Sequence, residues 1–329
     1  MRFVIYGAGA IGGVIGGRLF EAGHDVTLIA RGAHGQALRE RGLTLVAPDG
    51  STTLPIPVAG HPAEAGIQPD DVVVLAMKSQ DTAAAVQELA RTAPPDVAVV
   101  CSQNGVENER TALRSNAFVY GMAVMCPASH LEPGIVEADS SPVTGILDLG
   151  RYPSGVDDTA RAIAEALNGT SFVSEARPDI MRWKYTKLLM NVGNAIDAIC
   201  GSWDGTRELH EAARSEAEAC LRAAGIAFAS RQEDLERRGN LLTFRRAAGG
   251  DVHKGSSTWQ SLARGTGSIE TDYFNGEIVL LGRVHGIPTP VNALLQLLAR
   301  EIAAQRRPPG SMSLAELTAR VERETGQPV

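Results

Sequence analysis

The sequence predicts an α/β domain of Rossmann type followed by an all-helical domain, and three observations carry that expectation. Gly7-x-Gly9-x-x-Gly12 stands between an apolar run and a helical segment. Short runs rich in Val and Ile alternate with helical segments through the first half, and helical periodicity fills the second. A chain of 329 residues suits two domains. The change of pattern places them at 1–176 and 177–329.

The elements follow in order. "RFVIYG" reads as a strand and leads into a helix that ends near Gly23. "DVTLIA", "DVVVLAMK", "VAVVCSQNG" and "FVYGMAVM" read as further strands. Their lack of polar alternation suits a parallel sheet covered on both faces. "GIVEADSSPVTGILDLG" (134–150) reads as a later hairpin. Beyond it, periodicity predicts helices over 179–200, 206–224, 230–247, 268–285 and 290–305, with Pro178 just ahead of the first. A short last helix is expected from Ser313.

Composition narrows the function classes. The chain is 44% hydrophobic and 21% charged with net charge −7, which gives no electrostatic footprint for nucleic acid. No apolar run reaches the roughly 18 residues of a membrane span. The chain opens directly into a strand, so no secretory leader is expected. Cys101, Cys126, Cys200 and Cys220 are far apart with no CxxC spacing, and the seven histidines are scattered. Free thiols in a reducing cytoplasm and no metal site are the expectation.

Chemistry starts at the glycine-rich turn. Gly7 permits a tight turn, Gly9 lets backbone approach a pyrophosphate, and Gly12 allows close helix–strand packing, with Ala8, Ala10 and Ile11 completing the loop. The phosphates then meet the positive end of a helix. The second strand ends "TLIAR", without the acid that holds an NAD ribose. Arg31 can meet a 2′-phosphate instead, which favours NADP(H); a solvated loop arginine is the plain alternative. Two further strand ends bring Lys78 and Gln103-Asn104-Gly105 to the ligand edge of the sheet. A snorkelling surface lysine and an ordinary turn are the plainer readings of these.

Two helices carry misplaced polarity. At about 100° per residue, Asn191 falls about 40° and Asn194 about 20° from Lys187, with Lys184 at about 60°. The arc from Ala195 round through Val192 and Ile196 to Leu189 is apolar, so the thin band predicts a largely buried helix that lines a wet site; satisfied core amides are the alternative. In "SIETDYFNGEIVLLGRVHG", Glu270 and Glu277 both fall inside the apolar arc. At least one should meet a cation, for which Lys187 is available, unless a helix end or an oligomer contact such as a homodimer leaves both exposed. Periodicity does not choose between them. Gly255-Ser256-Ser257 reads equally as a helix cap or as donors to a substrate carboxylate.

Together these motifs resemble the ketopantoate reductase family. The resemblance rests on GxGAxG, the lysine after a later strand, "QNG", "K-x3-N", "SS", "E-x-D-Y-x-N-G" and "HGIPTPVN", and it covers nearly the whole chain in order. It implies NADPH-dependent reduction of the small 2-oxo acid 2-dehydropantoate to pantoate, on the route to coenzyme A. It also implies Lys187 as general acid and Glu270, rather than Glu277, as its partner, with Glu270 reaching the ribose or substrate. Asn104 and Asn191 would bind near the substrate, with Asn194 as a shifted substitute, Ser257 would contact the substrate carboxylate or hydroxyl, and Lys78 would line the cofactor side. The chain departs from the family pattern around the substrate. Ala195 stands where a second Asn is usual, Trp183 lies four residues before the lysine instead of two, and Thr258 and Ser261 replace Met and Asp. Reduction of another 2-oxo acid or ketone, or a non-catalytic NADP(H)-binding sensor, are the competing expectations.

Overall fold

The computed structural model describes residues 1–243 and 255–328. In chain order it runs β1 (Arg2–Tyr6), α1 (Ala10–Glu21), β2 (Asp25–Ile29), α2 (Gly32–Arg41), β3 (Leu43–Ala47), β4 (Gly50–Leu54) and β5 (Val58–Ala59). Then come β6 (Val72–Leu75), α3 (Thr82–Thr92), β7 (Ala98–Cys101), α4 (Asn108–Leu113), β8 (Val119–Met125), β9 (Ala128–Ser129) and β10 (Ile135–Ala138). Next are β11 (Gly145–Arg151), α5 (Asp158–Asn168), β12 (Phe172–Val173), α6 (Ile180–Asn191), α7 (Asn194–Cys200) and α8 (Arg207–Ala223). The chain closes with α9 (Arg231–Arg238), α10 (Ser257–Ala263), α11 (Asn275–His285), α12 (Pro290–Ala304) and α13 (Leu314–Thr325).

An eight-stranded sheet in the order β12-β11-β8-β7-β6-β1-β2-β5 forms the frame of the first half. β1 pairs in parallel with β2 and β6, and β7 continues the parallel run to β8. Every residue of β6 and β7 is buried, as expected of Val-rich strands with helices on both faces. A second sheet, β4-β3-β10-β9, packs β10 against α1, where Gly13 leaves no room for a Cβ beside Val136. Periodicity does not foretell this sheet, and it dissolves the expected hairpin at 134–150. β10 pairs with β3 and β9, whereas β11 runs antiparallel to β8 in the main sheet. Two apolar runs close in sequence read as partners, but long-range pairing chose otherwise.

Other boundaries differ too. The helix expected over 179–200 is broken at Val192–Gly193 into α6 and α7, and that over 268–285 is a 3₁₀ turn (Glu270–Tyr273), a break at Phe274, and α11. Of the helix expected over 230–247, α9 covers Arg231–Arg238, and 244–247 lie outside the described residues. α8, α12 and α13 stand where periodicity puts them, with Pro290 in the first turn of α12 and Ser313 capping α13.

Two compact units divide the chain inside α6, between Lys184 and Tyr185. The first unit comprises Met1–Lys184 with the described residues from Ser230 to Thr243; the second holds Tyr185–Ala229 and the described residues from Gly255. Charge explains why α9 belongs to the first. Arg237 makes two hydrogen bonds to the buried Asp148 at 2.6 and 2.8 Å, and Arg182 makes two to Glu233 at 2.7 and 2.8 Å. Among the described residues no helix is long and apolar enough to cross a membrane.

Candidate active site

In the first unit, α1 begins at the glycine-rich turn without a side-chain cap and without an acid in its first turn. Its leading N–H groups are therefore available to an anion. Gly7 has φ +102°, and a Cβ there would sit 2.7 Å from Met77 N. At Gly9 a Cβ would meet nothing within 4 Å, so packing does not demand this glycine. Open space over the helix N-terminus is what a pyrophosphate needs. Ala10 and Ile11 form the first turn of α1, and Gly12 abuts the Gly7 carbonyl. A cavity of about 470 Å³ opens beside this turn, lined among others by Gly7, Ala8, Arg31, His34, His61 and Met77. Arg31 is exposed and stands at the N-terminus of α2, on the lining of this cavity. The residues present thus fit a dinucleotide.

His34 ties that turn to the second sheet. Its Nδ1 accepts from Gly134 N at 2.9 Å, which leaves the proton on Nε2, 2.7 Å from the Ala8 carbonyl. Burial, and then the His130 ring tilted against it at a centroid distance of 4.2 Å, lower its pKa.

The carboxyl edge of the same sheet carries Lys78 and Asn104. Lys78 is half-buried at the head of a 3₁₀ turn (Ser79–Asp81). Asn104 lies in the turn after β7, where its carbonyl accepts from Ser79 Oγ (3.2 Å) and Asn108 Nδ2 (3.0 Å). Its side-chain Oδ1 is buried without a hydrogen-bond partner among the described residues. Buried polar atoms are seldom left so, and a ligand is one cause.

In the second unit, Lys187 is half-buried and Asn191, one turn on, is buried with its Oδ1 also unpartnered among the described residues. Asn194 does not continue their stripe, because α6 has ended; it opens α7, and its Nδ2 lies 3.4 Å from Ser257 Oγ. Ser256 takes the capping role at α10: its Oγ accepts from Trp259 N at 3.2 Å, and its N–H donates to Asp197 at 2.6 Å. Ser257 is thereby released from capping. Glu270 is 4% exposed, so the structure separates it from Glu277, which is only half-buried.

Sequence reasoning misses three groups. Arg264, at the end of α10, donates to Ser261 Oγ at 3.2 Å; burial lowers its pKa against the opposing charge of Glu270, so a guanidinium stands in the field of that carboxylate. Its place at a helix terminus gives no signal. Asn275 and Asn292, the asparagines of "FNG" and "PVN", brace the α6–α7 break. Asn275 Nδ2 donates to Val192 O (2.9 Å) and Asn292 Oδ1 (3.0 Å), and Asn292 Nδ2 donates to Glu216 (2.7 Å). Lys184 departs most from its expected place. It leaves the polar band and is buried in an ion pair with Glu109.

Known proteins share this organisation. The family model described as "Ketopantoate reductase PanE/ApbA" matches residues 3–153, and its "C terminal" companion matches 179–303. A 2-dehydropantoate 2-reductase from Pyrococcus horikoshii is 30% identical, covering 91% of this chain and 97% of its own. One from Mesorhizobium japonicum is also 30% identical, covering 93% and 99%. The crystal structure of a PanE/ApbA family ketopantoate reductase from Ralstonia eutropha JMP134 matches with TM-score 0.77 at 28% identity, over 93% of this chain and 99% of that one. D-mandelate dehydrogenase in complex with NADH and anilino(oxo)acetate shares the fold, with TM-score 0.79 at 22% identity over 93% and 99% of the two chains. With both domain models matched and relatives aligned end to end, the chain belongs to the ketopantoate reductase family.

Proposed function

We propose that the protein reduces 2-dehydropantoate to pantoate, with NADPH as hydride donor and Lys187 as proton donor. The observation that carries this reading is the near full-length relation to proteins named 2-dehydropantoate 2-reductase. The unpartnered buried amide oxygens of Asn104 and Asn191 support it, since both belong to the set expected to meet the ligands.

The Gly7–Gly12 turn would hold NADPH, with Arg31 toward its 2′-phosphate, and the cofactor would supply the hydride that no side chain can. Negative charge then grows on the ketone oxygen. The Lys187 ammonium stabilises that charge and delivers the proton to the same oxygen. Asn191 and Ser257 offer hydrogen bonds to the substrate, and Glu270 orients the lysine or accepts from a substrate hydroxyl. Work inside a reducing cytoplasm is part of the same proposal.

A second reading keeps the chemistry and changes the substrate. Thr258 is buried with its Oγ1 unpartnered among the described residues, at a position where the family pattern has Met. A different 2-oxo acid with one more polar group would satisfy it. The test is the rate of NADPH oxidation with ketopantoate against a panel of 2-oxo acids. Fastest turnover on ketopantoate supports the first reading, and a clear preference for another acid selects the second. Binding of NADPH with no turnover on any of them leaves the non-catalytic sensor. Arg31→Ala is expected to raise KM for NADPH by about 10- to 100-fold, as for loss of a charge-assisted hydrogen bond, and to leave KM for NADH nearly unchanged. Equal effects on the two cofactors remove Arg31 from the phosphate site.

A further inference from the structure

Lys184 and Glu109 form a buried ion pair that the proposed chemistry does not use. Lys184 is 3% exposed and Glu109 not at all. The ammonium meets Glu109 Oε1, donates to the Gln103 carbonyl at 2.9 Å and reaches the Cys101 carbonyl at 3.5 Å. Glu109 Oε2 has no hydrogen-bond partner among the described residues. Burial accordingly raises the Glu109 pKa, and the Lys184 charge only partly opposes it. A half-satisfied buried pair is a poor stabiliser, because desolvation of both charges offsets their attraction and an apolar pair would fill the space as well.

What an apolar pair cannot do is hold carbonyls in place. The chain leaves β7 at Cys101, turns through Gln103-Asn104-Gly105 with Gly105 at φ +83°, and enters α4, which carries Glu109. One ammonium grips this excursion at its start, at the carbonyl just before Asn104, and at its end. Ser79 and Asn108 hold Asn104 by its carbonyl, and its Oδ1 is the unpartnered atom among the described residues. We propose that Lys184 and Glu109 are positioning residues that fix the Asn104 turn so that its side chain is presented in one geometry to the reacting ends of cofactor and substrate. What Asn104 binds rests on the function proposed above; the hold on the turn does not.

The double variant Lys184→Met/Glu109→Leu removes both charges and leaves neither stranded. Its expected thermal midpoint is close to wild type. Binding of 2′,5′-ADP should stay within about twofold, since the Gly7–Gly12 turn and Arg31 are untouched. Hydrogen exchange of amides 102–106 should rise at least about tenfold while β1 amides stay protected. Turnover of the best 2-oxo acid should fall at least about tenfold, the scale expected when a positioned group moves by a fraction of an ångström. Unchanged exchange at 102–106 overturns the hold, whatever turnover does. Raised exchange with wild-type turnover overturns the link to catalysis. If the wild type reduces no 2-oxo acid, the proposed function fails while the exchange measurement still decides the hold. Should the double variant not fold, Glu109→Asp keeps the charge and shortens the reach, and the same two readouts support or overturn the proposal in the same way.

Discussion

Asn191 has a buried amide oxygen with no partner among the described residues, so its side chain adds little to the stability of the free protein. Asn191→Ala should therefore change stability by less than about 1 kcal/mol yet lower kcat/KM by about 10- to 100-fold. Parallel urea melts and steady-state rates check this, and a large stability loss with intact kcat/KM would return Asn191 to the core. His34 gives a prediction of opposite kind. Its folded pKa is lowered, so its contribution to stability is complete above the ordinary value of about 6.5 and is lost as pH falls through the lowered one. Protonation would set an N–H on Nδ1 against the Gly134 N–H and a charge against His130. Melting temperatures measured from pH 8 downwards should thus decline more steeply in wild type than in His34→Gln; identical slopes would clear His34. Residue types in a pattern mark Lys187 and Asn191 as candidates in the sequence, whereas Glu270 is chosen over Glu277 by the family resemblance alone. Arg264 and Lys184 are not so marked, because the carboxylates they face, Glu270 and Glu109, are set by the fold and not by spacing.

Helical wheels read α6 and the 3₁₀ turn ahead of α11 through breaks they cannot see. A wheel assumes one axis, and glycine is tolerated inside helices often enough that Gly193 gives no warning. Its cause is local: a Cβ on Gly193 would collide with the His210 ring. The carbonyl of Val192, freed at the break, is met by Asn275. Asn194 therefore reaches Ser257 from the start of α7, and an angle assigned to it on a continuous helix has no meaning. Gly193→Ala should cost about 1–3 kcal/mol by overpacking, and His210→Ala should recover part of that loss in the double variant. Additive losses in chemical denaturation would show that the crowding lies elsewhere. Strand identity is legible where runs are apolar throughout, as in β6 and β7. The partners of β10 and β11 are not, since pairing over long separations leaves no mark on either run.

At the scale of the molecule, domain order is legible and domain membership is not. Hydrophobic periodicity reports what each segment hides, but not against which partner. α9 looks like one more helix of the second half, yet its Arg237 closes on Asp148 of β11, which Arg177 also holds at 2.7 Å. The first unit is thus discontinuous in sequence, completed by a helix that arrives after the first part of the second unit. Folding of the sheet edge should then depend on a residue far beyond the expected boundary. Arg237→Met removes two charge-assisted hydrogen bonds but leaves Asp148 its bond to Arg177, so a loss of about 1.5–3 kcal/mol is expected. Its location is the sharper test. Native-state hydrogen exchange should quicken in β11 and β12, while α12 keeps wild-type protection. Quickened exchange in α12 with β11 unchanged would place α9 in the second unit and overturn the division.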